Sequence, residues 1–255
     1  MERTETIDEI QSGEYAFPYH YLPSRTKFPR FARFWNFSPS SMAALGLFTN
    51  WLAGVSKDSS GPHRHIDIGC GDGGFVNAVS MSGKLENVAF TGVDYDERAI
   101  FWAKAFARDG GVFECMPLAE LPQKDFDSAS LIEVVEHIPP AELPKFVAEV
   151  ASVLKPGGDL FLTVPSTQKP VEQKHYQHFD YAGIQALFAE GWDILECVGF
   201  ERFTFMSKVV RKLTQGKKHY IETAGLSDYL ISTCEKTHKD INGCGRILMV
   251  LRKQS

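Results

Sequence analysis

The sequence predicts an α/β fold built on a doubly wound, mostly parallel sheet. First, strand-like and helix-like segments alternate over residues 63–200 with short connections, as in consecutive βαβ units. Second, a glycine-rich turn over residues 67–74 joins the first such strand directly to a helix. Third, the composition of 44% apolar and 23% charged residues excludes a coiled coil, a collagen-like chain and wholesale disorder.

The expected elements follow from apolar patterns bounded by turn residues. Strands are expected at 65–68, 88–94, 111–115, 128–133, 159–164 and 192–198, with a last strand at 245–252. Helices are expected at 73–82, 96–108, 141–154 and 181–189. The run Lys-Pro-Gly-Gly over residues 155–158 should end a helix and turn the chain into the next strand.

The chain divides into four regions: an aromatic-rich N-terminal extension (1–59), a core (60–200), a helical insertion (201–243) and the last strand of the core (244–255). Four prolines interrupt the aromatic segment 14–39, and a helix at 40–55 follows it, capped by Ser40 or Ser41. The aromatic segment is expected either to form a lid or to add core at the sheet edge. Basic residues in both flanking regions fit an anionic substrate or a solvated surface; they are Arg25, Lys27, Arg30, Arg33, Lys208, Arg211, Lys212, Lys217 and Lys218.

Charge and cysteine content limit the function classes. The formal net charge of −5 argues against a protein that is basic over its whole surface. The five cysteines are an odd, scattered set without a CxxC pair, which favours a reducing cytoplasm over a disulfide framework. No apolar run is long enough to span a bilayer, and the polar first ten residues do not resemble a secretory signal.

The glycine turn is compatible with two cofactors. Gly69, Gly71 and Gly74 satisfy the G-x-G-x-x-G pattern. Asp94 follows at about the 20-residue spacing of the dinucleotide fingerprint, which keeps an NAD(P)-dependent dehydrogenase as an alternative. Asp67 and Asp72 flank the turn and would repel a pyrophosphate, whereas they suit a sulfonium cation. The charge pattern therefore favours S-adenosylmethionine over a dinucleotide, with Asp94 accepting hydrogen bonds from the ribose hydroxyls.

Several motifs together resemble the class I S-adenosylmethionine-dependent methyltransferases. They are DIGCGDG at 67–73, GVD at 92–94, FDSASLIE at 126–133, LKPGGDL at 154–160 and the last strand at 245–252. The resemblance implies a seven-stranded Rossmann-like sheet whose last strand is antiparallel. It implies that the glycines lie against the methionine part, that Asp94 holds the ribose and that residues 115–118 border the adenine. The implied cofactor-binding residues are Asp67, Gly69, Cys70, Gly71, Gly73, Asp94, Tyr95, Met116, Pro117, Leu118 and Glu133.

A Glu-x-x-Glu-His cluster follows the fourth expected strand. Glu133, Glu136 and His137 would share one face of a helical turn, and His175 and His178 follow in a later loop. The cluster resembles those of small-RNA 3′-end ribose methyltransferases and of ubiquinone-pathway O-methyltransferases. That resemblance implies Glu133, Glu136, His137 and His175 as ligands of Mg²⁺ or Mn²⁺. The same cluster also occurs in metal-free methyltransferases, where Glu133 contacts the cofactor, so His137, His175 and His178 are also candidate catalytic bases.

The expected function is O-methylation of a small hydroxylated acceptor, such as a sugar, a glycan precursor or a catechol-like metabolite. A metal-dependent RNA 3′-end ribose 2′-O-methyltransferase is the alternative within the class. The sequence His-Phe-Asp-Tyr at 178–181 stands where RNA-end enzymes carry Phe-Glu-Trp-Thr, and Pro165 is followed by Ser166 rather than Asn. These departures argue against RNA. A non-catalytic cofactor-binding module is the remaining alternative from another class.

Overall fold

The computed structural model describes residues 6–16, 18, 20–21, 38–57, 61–107, 111–216, 219–220 and 224–255. One sheet holds seven strands in the order β3-β2-β1-β4-β5-β9-β6. These strands are β1 His63–Ile68, β2 Val88–Asp94, β3 Val112–Cys115, β4 Phe126–Ile132, β5 Leu154–Pro165, β6 Trp192–Arg202 and β9 Cys244–Lys253. A separate two-stranded hairpin pairs β7 Gln215–Gly216 with β8 His219–Tyr220.

Strand direction matches the predicted fold class. The pairs β1–β2, β1–β4, β2–β3 and β4–β5 are parallel, while β9 runs antiparallel to both β5 and β6. The predicted mostly parallel, seven-stranded sheet with an antiparallel last strand is therefore confirmed. The strand order reverses between β1 and β4, and ligands of such sheets bind outside the carboxyl ends of the strands at this point.

Helices cover both faces of the sheet. The helices of the described residues are α1 Ile7–Glu14, α2 Pro39–Ser56, α3 Gly74–Ser80, α4 Glu97–Ala105, α5 Leu143–Val153, α6 Tyr181–Leu187, α7 Phe205–Thr214 and α8 Ala224–Glu235. One apolar cluster joins the sheet to α5 and α6, and the other joins it to α2, α3, α4 and α8. Two short 3₁₀ turns, Leu118–Glu120 and Val135–His137, lie at the carboxyl edge. No helix in the described ranges combines the length and apolarity that crossing a bilayer requires.

Several element boundaries differ from the sequence predictions. Strand β5 already begins at Leu154. The Lys-Pro-Gly-Gly run therefore lies inside an irregular, bulged part of this strand and does not form the predicted turn before it. Helix α2 begins at Pro39 after Ser38, because proline suits the first helical position, so neither Ser40 nor Ser41 is the cap. Helix α1 was not predicted, although Thr6 and Glu9 form a reciprocal capping box at its start.

The helical insertion lies at the carboxyl edge of the sheet. Strand β6 ends at Arg202 directly opposite Cys244, where β9 begins, and β6 is parallel to β5 through their shared antiparallel partner. Helix α8 packs against α2, where the Glu235 carboxylate contacts Gly46. Most of the aromatic segment and its four basic residues, as well as Lys217 and Lys218, fall outside the described residues.

Candidate active site

The glycine turn has a backbone shape that requires glycine. Gly69, Gly71 and Gly73 have φ values of 73°, 54° and 74°, in the left-handed region that other residues avoid. A Cβ on Gly71 would also come within 2.6 Å of the Tyr15 hydroxyl, and one on Gly69 within 2.7 Å of Val134 Cγ2. The turn is therefore closely packed between the N-terminal segment on one side and the segment after β4 on the other.

Asp94 holds the turn in place from the end of β2. Its Oδ2 accepts the amide hydrogen bond of Gly71 at 2.9 Å, and its Oδ1 accepts that of Asp96 at 3.0 Å. Burial raises the pKa of Asp94, and these backbone donors oppose the rise. Asp94 therefore lies at the end of β2, where the sequence analysis expects the residue that binds the ribose hydroxyls, and its binding of the ribose stays a prediction.

The two acidic residues that flank the turn have different partners. Asp67 is buried in β1 and accepts a 2.5 Å hydrogen bond from Ser130; burial, together with the Asp94 charge, raises its pKa to about 7. Asp72 is fully buried, receives the Gly74 amide at 3.2 Å and lies 2.5 Å from His20 Nδ1. Asp67 is thus only partly charged near neutral pH, and Asp72 connects the turn to the N-terminal segment.

Helix α1 lies across the carboxyl edge. The Trp102 indole donates to the Tyr15 carbonyl at 3.1 Å, and Ser12 bonds to Asp96 at the start of α4. Glu14 accepts from Lys174 Nζ at 2.9 Å. Helix α1 therefore connects the glycine-turn side of the edge to the loop that carries His175, a contact that the sequence did not reveal.

The remaining predicted cofactor residues occupy varied surroundings. The Met116 amide donates to the Asp94 carbonyl at 3.0 Å, which ties the predicted adenine side to the end of β2. Tyr95 is exposed, Cys70 is buried and Leu118 is part of the apolar core. Pro117 is exposed between them. Their contacts with a cofactor stay predictions.

Glu133 is part of an ionic network at the carboxyl edge of the sheet. Its Oε1 accepts from Thr163 at 3.0 Å and its Oε2 from Arg246 Nε at 2.9 Å. The other side of the Arg246 guanidinium pairs with Glu201, which also receives Lys169 at 2.9 Å. Burial would raise the pKa of Glu201, but Arg246 and Lys169 outweigh it and hold that pKa below its ordinary value. Each oxygen of Glu133 thus accepts one hydrogen bond.

Glu136, His137 and His175 form the group in the described part of the chain that could hold a metal. One ligand atom from each lies within 4.8 Å of the others. Both carboxylate oxygens of Glu136 are buried without a hydrogen-bond partner among the described residues. Burial and the nearby Glu133 charge raise the pKa of Glu136 well above its ordinary value. The group contains three of the four predicted ligands, and Glu133 is not among them.

The hydrogen bonds of the imidazoles fix which nitrogen is open. His137 Nδ1 lies 2.9 Å from the Lys174 carbonyl, and His178 Nδ1 lies 3.1 Å from the Lys169 carbonyl, so each of these nitrogens donates. In neutral His178, Nε2 then accepts from His175 Nδ1 at 2.9 Å. This arrangement leaves Nε2 of both His137 and His175 unprotonated.

Burial keeps these two imidazoles neutral. It lowers the pKa of His137 to about 3, helped by the neighbouring His175. It lowers the pKa of His175 to about 4, where Glu172 opposes the fall. The rings of His137 and His175 meet edge-on with centroids 4.7 Å apart. At neutral pH neither ring holds a proton on Nε2, so each has a lone pair available to a cation or to a hydroxyl that donates a hydrogen bond.

Comparison with known families decides the class of protein. Residues 27–195 match a family model described as a methyltransferase domain. The chain belongs to this methyltransferase family. The predicted resemblance to class I S-adenosylmethionine-dependent methyltransferases is confirmed. The predicted cofactor, S-adenosylmethionine, is the cofactor of this family. A nicotinamide dehydrogenase is not favoured.

Relatives and solved structures agree with this family. The ubiquinone biosynthesis O-methyltransferase of Bordetella bronchiseptica is 29% identical over 143 residues, which cover 52% of this chain and 56% of the relative. The chain thus spans about half the length of that curated relative. The magnesium protoporphyrin IX methyltransferase of Synechocystis PCC 6803 aligns over 100% of both chains, with a TM-score of 0.59 and 14% identity. The [4+2]-cyclase SpnF aligns over 84% of this chain and 82% of its own, with a TM-score of 0.56 and 20% identity. At these identities the structural likeness shows the fold alone.

Proposed function

We propose that the chain transfers the methyl group of S-adenosylmethionine to a hydroxyl oxygen of a small acceptor. The observation that carries the proposal is the pair of neutral imidazoles, each with an open Nε2, beside the segment after β4 that packs on the glycine turn. Val134 joins the two parts, because its side chain packs on Gly69 and it precedes His137 by one 3₁₀ turn. The relative named as a ubiquinone biosynthesis O-methyltransferase supports oxygen as the atom that is methylated.

The chemical step is an in-line displacement at the methyl carbon. The acceptor oxygen forms the new C–O bond while the C–S bond breaks, and the sulfonium leaves as a neutral thioether. The acceptor loses its proton as the bond forms, since a free alcohol is too weak an acid for an imidazole to ionise beforehand. The protein must therefore align the acceptor, exclude water and offer a proton acceptor within hydrogen-bond reach.

His175 is the proton acceptor that the contacts support best. Its Nδ1 donates to His178, whose own Nδ1 donates to the Lys169 carbonyl. His178 therefore acts as a positioning residue that holds His175 in the tautomer with a free Nε2. His137 presents an equivalent open nitrogen and is the second candidate.

The same residues fit a divalent cation. A buried carboxylate with both oxygens unpartnered requires either a proton or a cation, and Glu136 is such a group. Glu136, His137 and His175 would hold Mg²⁺ or Mn²⁺, with open positions for the acceptor. A bound cation would lower the pKa of a hydroxyl that it contacts. Glu133 lies outside this group and is not proposed as a ligand, since its oxygens already accept from Thr163 and Arg246.

The acceptor class and the setting are also proposed. A catechol-like or sugar-like metabolite fits the relatives, while an RNA 3′ end is the alternative that the Glu-x-x-Glu-His pattern supports. Within the N-terminal extension (1–59), α1 and Tyr15 are proposed as the lid on the cofactor, because Tyr15 lies over Gly71 and Glu14 pairs with Lys174. Helix α2 of the same extension packs on the sheet as core. The five free cysteines support a reducing cytoplasm.

The test combines cofactor binding with methyl transfer. S-adenosylhomocysteine should bind in calorimetry, and labelled methyl groups should move from S-adenosylmethionine to catechols or sugars more readily than to short RNA. His175→Ala should lower turnover by about a hundredfold or more while leaving the cofactor affinity nearly unchanged. His178→Leu should lower kcat similarly, whereas His178→Gln should retain activity because its amide oxygen can still accept from His175. Cofactor binding without turnover on any acceptor would instead indicate a binding module.

A further inference from the structure

Helix α7 turns its apolar face to solvent and its small polar residues inward, the reverse of an ordinary surface helix. Its large apolar side chains, Phe205, Met206, Val209 and Leu213, face solvent. Its buried positions are the small polar residues Ser207 and Thr214. Surface helices normally turn their apolar stripe toward the core.

The inward-facing hydroxyls do not explain this orientation. Ser207 bonds to the Thr204 carbonyl at 3.0 Å and Thr214 to the Val210 carbonyl at 2.8 Å, both within the local turn. Among the described residues, neither hydroxyl bonds to another element of the fold. The exposed stripe, in contrast, is continuous, because positions 205, 209 and 213 lie on one side of the helix. Phe205 is 83% exposed, the highest value among the large apolar residues described.

The charged side chains of α7 are all basic. Lys208, Arg211 and Lys212 are exposed on α7, and Arg211 stacks over the Phe203 ring at 4.7 Å. Residues 203–220 contain five Lys and Arg residues and no Asp or Glu, in a chain whose net charge is −5. A local cationic segment on an acidic protein favours an anionic partner.

We infer that α7 docks on an anionic lipid surface, with its apolar stripe in the headgroup region and its basic side chains on the lipid phosphates. Exposed apolar side chains flanked by lysine and arginine are the features of a helix that lies in the membrane interface. A second copy of the chain fits less well, because symmetric contact through α7 would bring two cationic helices together. The helix begins three residues after Arg202, at the carboxyl edge, so docking would place that edge near the bilayer.

The experiment is co-sedimentation of the full chain with vesicles. Vesicles of phosphatidylcholine containing about one third phosphatidylglycerol should bind the protein at least about tenfold more tightly than phosphatidylcholine alone. High salt should weaken this binding. Lys208→Gln and Lys212→Gln should weaken binding to anionic vesicles severalfold, whereas Lys236→Gln on the exposed turn after α8 should not.

Matched variants separate the stripe from general surface apolarity. Met206→Ser and Met81→Ser change equally exposed methionines (59% and 63%), and Phe205→Ser and Phe101→Ser change two exposed phenylalanines. Only the α7 variants should lose vesicle binding, by about tenfold each, with unchanged melting temperatures. Absence of wild-type binding to anionic vesicles would overturn the inference, as would equal losses in the control variants. A concentration-dependent dimer in ultracentrifugation that Phe205→Ser abolishes would also overturn it, because it would identify a second copy as the occupant.

Discussion

Replacing Arg246 by methionine tests the ionic network at the carboxyl edge. The Arg246 side chain is 17% exposed, and its guanidinium lies between Glu133 and Glu201, of which Glu201 is almost fully buried. Methionine keeps the length and apolar stem of the side chain but leaves two neighbouring carboxylates without their shared cation. Removing one member of a buried ionic group costs about 3–5 kcal/mol, so we expect a loss of that order in the free energy of unfolding.

Urea unfolding, followed by fluorescence and circular dichroism, measures this loss without screening the charges. Arg252→Met is the matched control on the same strand, because Arg252 pairs with Asp159 but is 48% exposed. The control should lose less than about 1 kcal/mol. Equal losses in the two variants would refute the argument that burial makes the Arg246 network important.

The pH dependence gives a second check on the same variant. Without Arg246, Lys169 and Ser40 alone oppose the effect of burial, so the pKa of Glu201 should lie above its value in the wild type. The loss of stability relative to the wild type should then shrink as the pH falls through the range in which Glu201 is protonated. Adding Glu201→Gln to Arg246→Met should recover part of the loss at neutral pH. A loss that is independent of pH would indicate a packing defect instead of unpaired charge.

Three other substitutions test the cofactor side of the site. Asp94→Asn should weaken S-adenosylhomocysteine binding by about tenfold or more in calorimetry, because the ribose loses a charged acceptor; unchanged affinity would remove the ribose role. Gly71→Ala should also weaken it and lower stability by more than Gly83→Ala does, since Gly83 has a φ of 66° with no neighbour within 4 Å, whereas Gly71 meets Tyr15. Asp67→Asn should flatten the pH dependence of stability: with a folded pKa of about 7 against an ordinary value of 3.8, the contribution of Asp67 to stability is largest below pH 3.8 and is lost, by a few kcal/mol, as the pH rises to about 7. Parallel wild-type and variant pH curves would show that Asp67 does not titrate in this way.

Local patterns in the sequence were sufficient to predict the sheet and its strand directions. Alternation of apolar runs with short glycine-containing connections restricts the topology strongly, since parallel crossovers are nearly always right-handed. Helix α1 was not predicted because its apolar face is weak and interrupted by acidic residues. The capping pair of Thr6 and Glu9 was nevertheless present in the sequence. Its contacts through Tyr15 and Glu14 join segments far apart in sequence, which local patterns cannot reveal.

The network around Arg246 depended on strand register, which the sequence leaves open. Arg246 is opposite Pro165 on one side of β9 and opposite Phe200 on the other. A shift of one residue would send its side chain to the other face of the sheet. One signal was nevertheless present, because a charged residue near the start of an otherwise apolar strand must find a partner if it is buried. Glu201, the partner that it finds, also has a left-handed φ of 60°, which no sequence pattern indicated.

Glu133 and Glu136 show why a helical spacing rule was incomplete here. The rule places residues three apart on one face, but it assumes helical backbone at both positions. Glu133 has a φ of 55°, so the chain turns before the 3₁₀ turn at Val135–His137 begins. Its side chain reaches Arg246 and Thr163, while Glu136 stays buried beside the histidines without a hydrogen-bond partner among the described residues. The two carboxylates therefore have different roles. Glu133 joins the end of β4 to the last strand, whereas the charge of Glu136 must be neutralised by a bound cation or a proton.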